Sequence, residues 1–193
     1  LTPLTLLTSC YSPEQQVMLS GFTMGTGYQI SFVSLSTAIT QQKILQTEIE
    51  QILLDINRSM STYDPQSELS RFNQTSDTDW IKITPELFTV LENAQSISVL
   101  TQGAFDVTVG PLVNLWGFGA AGIKNCGKLP SAQAIDQNRS QVGYQALQIR
   151  SSEQLIRKQK APLYVDLSSI AKGYAVDKIA QLLDSKGIQD YLV

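Results

Sequence analysis

The sequence predicts an α+β fold in which mixed sheets pack against helices. Strand-like apolar runs lie near both ends of the chain, at residues 17–22 and 188–193. Between them, long stretches repeat apolar residues at the three-to-four-residue spacing of an amphipathic helix. The chain has 193 residues, of which 42% are hydrophobic, so it is long enough to bury the core of one large α+β domain.

The N-terminal part is predicted to hold a hairpin followed by a long helix. Apolar alternation predicts strands at residues 17–22 and 28–33, and the glycines of residues 25–27 predict the turn between them. Ser36 or Thr37 caps the helix that follows. This helix extends to about residue 57, and its predicted buried face is Ile44, Leu45, Ile49, Ile52, Leu53 and Ile56.

Two further helices are predicted before residue 101. Asp64-Pro65 indicates a turn, and residues 67–72 form a short helix after it. Thr84 followed by Pro85 is typical of a helix start, because the fixed φ of proline suits the first helical position. This helix is predicted to continue through Leu100.

The C-terminal part is predicted to alternate strands, loops and helices. The predicted strands are residues 105–109, 147–150, 163–167 and 188–193, and residues 116–129 form a glycine-containing loop. One helix covers residues 131–142. A second opens at Ser168 or Ser169 and ends at about Ser185, before Lys186-Gly187.

Asp166 lies where a strand-like run meets this last helix, and Ser168 and Ser169 follow it. The first turn of a helix has unpaired N–H groups and the positive end of the macrodipole, so it favours phosphate oxygens. A carboxylate beside it suits Mg²⁺, which prefers oxygen ligands and often binds substrate phosphates. A simpler interpretation is a serine helix cap and a carboxylate that is hydrogen-bonded at a strand end.

Composition argues against a nucleic-acid surface. The net charge is −3, the isoelectric point is about 4.9, and histidine is absent. The densest basic cluster is Arg157-Lys158 followed by Lys160. The sequence has no run of 18 apolar residues, the length that would predict a membrane-spanning helix.

The N-terminus resembles the end of a bacterial signal peptide with a lipobox, Leu7-Thr8-Ser9-Cys10. On this interpretation residues 1–16 are a signal-peptide remnant, lipobox and tether. Cys10 is then the lipidated first residue of the mature protein, which anchors it to a membrane. The alternative is a disordered tail with an incidental cysteine. Cys126 is interpreted as a loop thiol, since no histidine or nearby second cysteine accompanies it.

Four motifs follow one another along the chain. They are Gly21-Phe22-Thr23-Met24-Gly25-Thr26; Met60-Ser61-Thr62-Tyr63-Asp64-Pro65 with residues 67–73; residues 103–112 with Leu115-Trp116-Gly117-Phe118-Gly119; and residues 166–177. This ordered set resembles the ApbE family, the FAD:protein FMN transferases once described as thiamine-biosynthesis lipoproteins. The resemblance implies an ApbE-like, T-fold-related domain over residues 17–193.

The resemblance also implies a reaction. A family member transfers FMN from FAD to a threonine of an acceptor protein and releases AMP, with Mg²⁺ as cofactor. Acceptors are flavoprotein subunits of Na⁺-translocating NADH:quinone reductase or Rnf-type complexes. The implied location is the periplasmic side of the bacterial inner membrane, through the lipid on Cys10. Family members continue past residue 193 with further metal ligands in an Asp-Pro-x-Thr-Gly-like segment, so we expect this chain to be C-terminally truncated.

Site residues are assigned by matching this sequence to the family motifs. The implied FAD contacts are Met24, Tyr63, Ala104, Phe105, Asp106, Asp166 and Lys172, and the implied Mg²⁺ ligand is Ser169. No residue is assigned a catalytic role. Each residue also has an ordinary interpretation: Met24 and Phe105 as core, Tyr63 as part of a turn, and Lys172 as a solvated helix residue.

Other functions remain open at this stage. Some relatives hydrolyse FAD to FMN and AMP, and a lipoprotein that only binds flavin is a non-enzymatic alternative. Ser169-Ile170-Ala171-Lys172 also fits the Ser-x-x-Lys motif of penicillin-recognising serine enzymes, in which the lysine activates the serine. The Ser-Asp-Asn and Lys-Thr-Gly motifs of those enzymes are absent from this sequence.

Overall fold

A computed structural model describes residues 15–34, 39–120 and 129–193. The helices are α1 (Ile39–Met60), α2 (Glu68–Gln74), α3 (Pro85–Leu100), α4 (Gly110–Leu115), α5 (Ala132–Arg139) and α6 (Ala171–Ser185). The strands are β1 (Gln15–Thr23), β2 (Thr26–Ser34), β3 (Ile81–Lys82), β4 (Leu147–Arg150), β5 (Leu155–Lys158) and β6 (Tyr191–Leu192). Helices and sheets together confirm the predicted α+β class. The strand pairs in these ranges are antiparallel.

The chain divides into two compact units. The first comprises residues 1–51 and 178–193, and the second comprises residues 52–177. The sequence pattern predicted one α+β unit and gave no sign of this division. Cys10, Ser36, Thr37 and Cys126 lie outside the described residues.

The first unit contains a three-stranded sheet in the order β1-β2-β6. The predicted hairpin is confirmed, with Leu19 opposite Ile30 and Thr23 opposite Thr26. β1 begins at Gln15, so it overlaps the last two residues of the predicted tether. The turn consists of Met24 and Gly25, with φ of 49° and 72°. Two central residues with positive φ match a type I′ turn, whose twist suits a two-residue hairpin.

Side chains of the first unit join its sheet to the N-terminal part of α1 and the end of α6. Gln46 Nε2 donates to Tyr28 Oη at 2.9 Å. Lys186 Nζ lies 2.7 Å from Glu48 Oε1, and Tyr191 Oη donates to Asp184 at 3.0 Å. Of the predicted strand 188–193, Tyr191–Leu192 forms β6 and pairs with β2, and the Asp190 carbonyl accepts from the Val33 N–H of β2 at 2.9 Å.

The buried residues of α1 recur at a spacing of three to four residues. Leu45, Ile49, Leu53, Ile56 and Met60 are buried, each at 7% exposure or less. Ile44, which was predicted to be buried, is 54% exposed. A run of apolar residues with helical spacing does not fix which edge of the apolar stripe faces solvent. None of the described helices is both long and apolar enough to cross a membrane.

The second unit contains a sheet in the order β3-β5-β4 and most of the helices. Ser67 caps α2 by accepting a hydrogen bond from the Ser70 N–H at 3.0 Å. Thr84 and Pro85 start α3 as predicted, and Ser131 caps α5. These starts were readable from sequence because capping hydroxyls and N1 proline act locally.

Two predicted strands are wrong. Val107–Val109 is a 3₁₀ helix that leads into α4. Residues 163–167 form neither strand nor helix, and they pair with no strand in the described part of the chain. Their backbone groups bond instead to the Asn73 side chain and the Val107 carbonyl. These partners are distant in sequence, so the local pattern could not reveal them.

Lys158 is fully buried in the second unit, at 1% exposure. Its Nζ donates to the carbonyl oxygens of Asn73 at 3.0 Å and Thr75 at 2.8 Å, and it lies 5.1 Å from the centroid of the Phe72 ring. Burial lowers the pKa of this ammonium below its usual value. The lysine therefore satisfies two carbonyls at the end of α2, where helical N–H donors run out.

We expect Lys158→Met to lower the free energy of unfolding by about 2–4 kcal/mol, because two buried carbonyls lose their donor. Urea unfolding followed by circular dichroism measures this change. Lys82→Met is the matched control, since Lys82 is exposed on β3, and we expect a change within about 0.5 kcal/mol. Equal losses in the two variants would contradict the bridging role of Lys158.

Candidate functional site

The Asp106 carboxylate organises one side of the candidate site, within the second unit. Its Oδ1 accepts from the Thr108 N–H at 2.7 Å and from the Thr108 hydroxyl at 2.6 Å. Its Oδ2 accepts from the Tyr144 N–H at 2.9 Å. The Thr108 hydroxyl in turn accepts from the Gly143 N–H at 2.8 Å. Asp106 is a predicted flavin contact, and both of its carboxylate oxygens therefore already accept hydrogen bonds from other residues of the protein.

Asp166 lies on the neighbouring segment, and the structure brings it close to Asp106. Its backbone N–H donates to the carbonyl of Val107, the residue after Asp106, at 2.7 Å. The residue is 6% exposed, and its side-chain Oδ1 accepts from the Ser168 N–H at 2.8 Å. Among the described residues, no hydrogen bond reaches Asp166 Oδ2. This carboxylate thus has one fixed oxygen and one oxygen with acceptor capacity left.

Gly110 brings the same two segments together a second time. A Cβ at this position would lie 2.2 Å from Tyr164 Cδ1, so only glycine leaves room for the ring. Burial raises the pKa of the Tyr164 phenol, a hydrogen bond with the Asn114 side chain opposes this, and the charge of Asp166 adds to it. The phenol therefore stays neutral near pH 7 and retains a proton for hydrogen bonding.

A cavity of about 380 Å³ opens beside Tyr164. It is lined by Pro111, Asn114, Leu115, Asn138, Gln141, Pro162 and Tyr164. Its volume falls in the range of small-molecule sites, and amide side chains supply polar groups for orientation.

Tyr63 contributes an aromatic surface. Its hydroxyl donates to the Phe118 carbonyl at 2.8 Å, while the residue as a whole is 59% exposed. Trp116 and Phe118 are also exposed, at 45% and 78%. The hydrogen bond joins Tyr63 to the turn that carries these two rings. An exposed aromatic face of this kind suits stacking with a flat ring system.

Ser169 and Lys172 are both exposed at the start of α6. The helix begins at Ala171, so Ser168 and Ser169 lie in the preceding turn rather than in the helix. In the part of the chain that is described, no hydrogen bond joins Ser169 to Lys172. The Ser-x-x-Lys interpretation therefore has no supporting contact.

The remaining predicted contacts are placed as follows. Ala104 is exposed and Phe105 is half-buried, and the Phe105 N–H donates to the Thr101 hydroxyl at 3.1 Å. Met24 is half-buried in the hairpin turn of the first unit. Phe105 and Met24 are thus not the fully buried core residues of the ordinary interpretation.

The oxygen donors near Asp166 fit part of a magnesium site. Within residues 15–34, 39–120 and 129–193, no group of three His, Cys, Asp or Glu side chains is arranged to hold a metal ion. Asp166 and the exposed Ser169 hydroxyl nevertheless offer the oxygen ligands that Mg²⁺ prefers, and Mg²⁺ usually completes its shell with water and phosphate. The oxygen donors therefore fit Mg²⁺ chemically, but the described residues supply fewer ligands than a complete magnesium site requires.

The sequence model of the ApbE family matches residues 24–193. The chain belongs to the ApbE family. A Vibrio cholerae protein named FAD:protein FMN transferase is 44% identical over 193 residues, which is 100% of this chain and 56% of that protein. A Haemophilus influenzae protein of the same name is 39% identical over 190 residues, 97% of this chain and 54% of its own length.

Solved ApbE structures have the same fold. The flavin transferase ApbE from Vibrio cholerae superposes with a TM-score of 0.86, over 93% of this chain and 56% of that one, at 44% identity. The apo flavinyl transferase ApbE from Pseudomonas stutzeri gives 0.83 at 32% identity, over 96% and 60%. This chain therefore spans about half the length of the ApbE relatives it matches.

Sequence reasoning missed several residues that contribute to the candidate site or support it. Asn73, Asn114 and Lys158 were not assigned roles, and Tyr164 was interpreted only as a strand residue. Asn73 lies inside one of the family motifs and Asn114 lies beside another, and this position was the only sequence indication of a role for either residue. Their partners, Val165 and Tyr164, lie far along the chain, so no local pattern links them.

We expect Gly110→Ala to lower the free energy of unfolding by about 1–3 kcal/mol, because the new Cβ forces the Tyr164 ring to move. The backbone of Gly110 is right-handed helical, with φ of −47°, so strain there comes from the ring contact. Gly173→Ala in α6 is the control, since nothing lies within 4 Å of its Cβ position. Helix propensity predicts that this change stabilises by about 0.5–1 kcal/mol. Urea unfolding should therefore give opposite signs, and a shared sign would contradict the close Gly110–Tyr164 approach.

Proposed function

We propose that this chain is part of an FAD:protein FMN transferase that attaches FMN to a threonine of an acceptor protein. The observation that supports the proposal is that the segments carrying Asp106 and Asp166 lie side by side in a chain of the ApbE family. The Asp106 carboxylate fixes the loops, and the Asp166 carboxylate keeps one oxygen with acceptor capacity. The names of the relatives give the reaction class.

The proposed reaction breaks the phosphoanhydride bond of FAD and forms a phosphoester bond to threonine. The threonine oxygen attacks the phosphorus of the FMN half of FAD, the pyrophosphate P–O bond breaks, and AMP leaves. The threonine proton passes to solvent or to the AMP phosphate. Such chemistry depends on positioning and charge neutralisation more than on covalent catalysis by the protein.

The chain's own residues would bind and orient FAD. Tyr63 offers an exposed ring face for stacking. Ala104, Phe105 and Asp106 would form one contact segment, in which the Asp106 carboxylate would accept from a ribose or ribityl hydroxyl. Asp166 would make a further FAD contact through Oδ2. Lys172, exposed in the first turn of α6, would approach a phosphate. Met24 is proposed as a further contact.

Mg²⁺ is the proposed cofactor, with Ser169 among its ligands. The ion would supply positive charge against the pyrophosphate when bound. The chemistry of the oxygen donors beside Asp166 supports this assignment.

The proposed acceptors are flavoprotein subunits of Na⁺-translocating NADH:quinone reductase or Rnf-type complexes. The proposed location is the periplasmic face of the bacterial inner membrane, with a lipid on Cys10. The lipobox-like Leu7-Thr8-Ser9-Cys10 supports the anchor. Mass spectrometry of Cys10 tests it, and an unmodified cysteine in the native host would refute the anchor.

The transferase proposal is tested with the protein in its complete length, a threonine-bearing acceptor domain, FAD and Mg²⁺. We expect the acceptor to become fluorescent in a denaturing gel and one AMP to form for each FMN attached. Chelation with EDTA should abolish both signals. Equal release of FMN and AMP without attachment would instead indicate an FAD hydrolase, and binding without turnover would indicate a flavin-binding lipoprotein.

We expect Asp166→Asn to weaken FAD binding in the presence of Mg²⁺ by tenfold or more, because the carboxylate charge is lost. Unfolding free energy should change by less than about 1 kcal/mol, since Asn keeps an acceptor for the Ser168 N–H. Isothermal titration calorimetry measures affinity, and urea unfolding measures stability. Unchanged FAD affinity would remove Asp166 from the binding site.

Asp106→Asn should behave differently. The amide replaces one acceptor oxygen with an N–H₂ group. This group cannot accept a hydrogen bond, so either Thr108 or the Tyr144 N–H loses its acceptor. We therefore expect a loss of about 1–3 kcal/mol in unfolding free energy, with weaker FAD binding as a result. Stability equal to that of the unsubstituted protein would contradict the loop-fixing role of this carboxylate.

A further inference from the structure

We propose that Asn73 is a positioning residue that sets the orientation of Asp166. The proposal rests on the proposed function, in which Asp166 contacts FAD. It names a residue for which sequence motifs gave no role.

The Asn73 side chain binds one residue twice. Its Nδ2 donates to the Val165 carbonyl at 2.8 Å, and its Oδ1 accepts from the Val165 N–H at 2.8 Å. This is the two-bond exchange that a residue of an antiparallel strand would make with its partner. A side-chain amide thus replaces the missing strand beside an extended segment.

The peptide bond between Val165 and Asp166 is held from two sides as a result. Its carbonyl accepts from Asn73 at 2.8 Å, and its N–H donates to the Val107 carbonyl at 2.7 Å. Because the peptide group is planar, fixing both polar ends fixes its rotation. The direction in which the Asp166 side chain leaves the backbone depends on that rotation.

Asn73 is itself anchored. It lies in the last turn of α2, and its carbonyl accepts from the buried Lys158 ammonium at 3.0 Å. Lys158 also holds Thr75, the residue that follows α2, at 2.8 Å. The pair of hydrogen bonds from Asn73 to Val165, which we call the clamp, is therefore connected to β5 through Lys158. The end of α2 that carries Asn73 is not free to move independently.

Asn73→Asp tests the clamp with almost no change in shape. The aspartate still accepts from the Val165 N–H, but it donates nothing to the Val165 carbonyl and repels that oxygen. Asn57→Asp is the matched control, because Asn57 Nδ2 also donates to a backbone carbonyl, that of Leu53, at 2.9 Å. Asn57 lies in α1 and has no proposed part in the site.

The first readout is amide hydrogen exchange by NMR, which requires no ligand. We expect the Asp166 N–H to exchange at least tenfold faster in Asn73→Asp, while Asn57→Asp leaves it within twofold. Near-UV circular dichroism confirms that both variants are folded. An unchanged exchange rate in Asn73→Asp overturns the proposal.

The second readout is a double-mutant cycle on FAD affinity with Mg²⁺. Asn73→Asp alone should weaken binding about tenfold, but by less than about twofold when Asp166→Asn is already present. An undiminished effect in that background overturns the proposal, since Asn73 would then act on the fold at large. If the unsubstituted protein binds no FAD, the proposed function fails, and amide exchange still decides whether Asn73 holds the peptide.

Discussion

The hydrogen bonds between the Asn73 amide and Val165 are the interaction on which the rest of the second unit depends. A mostly buried segment must satisfy its backbone groups, and residues 163–167 pair with no strand among the residues that the structure describes. A side chain from α2 and a carbonyl next to Asp106 take that place. Lys158 of β5 bonds the end of α2. The hydrogen bonds of residues 163–167 therefore connect β5, α2 and the segment that follows Asp106.

Asp106 and Asp166 have different hydrogen-bonding roles in the candidate site. Asp106 has its two oxygens occupied by Thr108 and Tyr144, so its main observed effect is to hold loops in place. Asp166 is more buried yet has fewer partners, since one oxygen accepts only from the Ser168 N–H. Identical side chains thus differ in how much bonding capacity is left for a ligand, and this difference cannot be read from residue type.

Sequence alone predicted the α+β class, the hairpin and the helix starts at Ser67, Thr84 and Ser131, because these depend on neighbouring residues. It failed for residues 105–109, where the Asp106 side chain caps a 3₁₀ helix. It also failed for residues 163–167, because the Asn73 side chain that bonds Val165 is 92 positions away. The motifs selected the segments that carry the candidate site. They did not reveal Asn73 or Asn114 as structural members, since the role of a side-chain amide depends on which backbone it faces.

The hairpin turn at Met24 and Gly25 carries a further consequence. Glycine adopts positive φ readily, whereas methionine at φ of 49° is uncommon and strained. Asparagine or glycine would relax the turn but would remove a long, polarizable side chain from its tip. The turn therefore keeps a long side chain at its tip in a backbone conformation that methionine adopts only at a cost in stability.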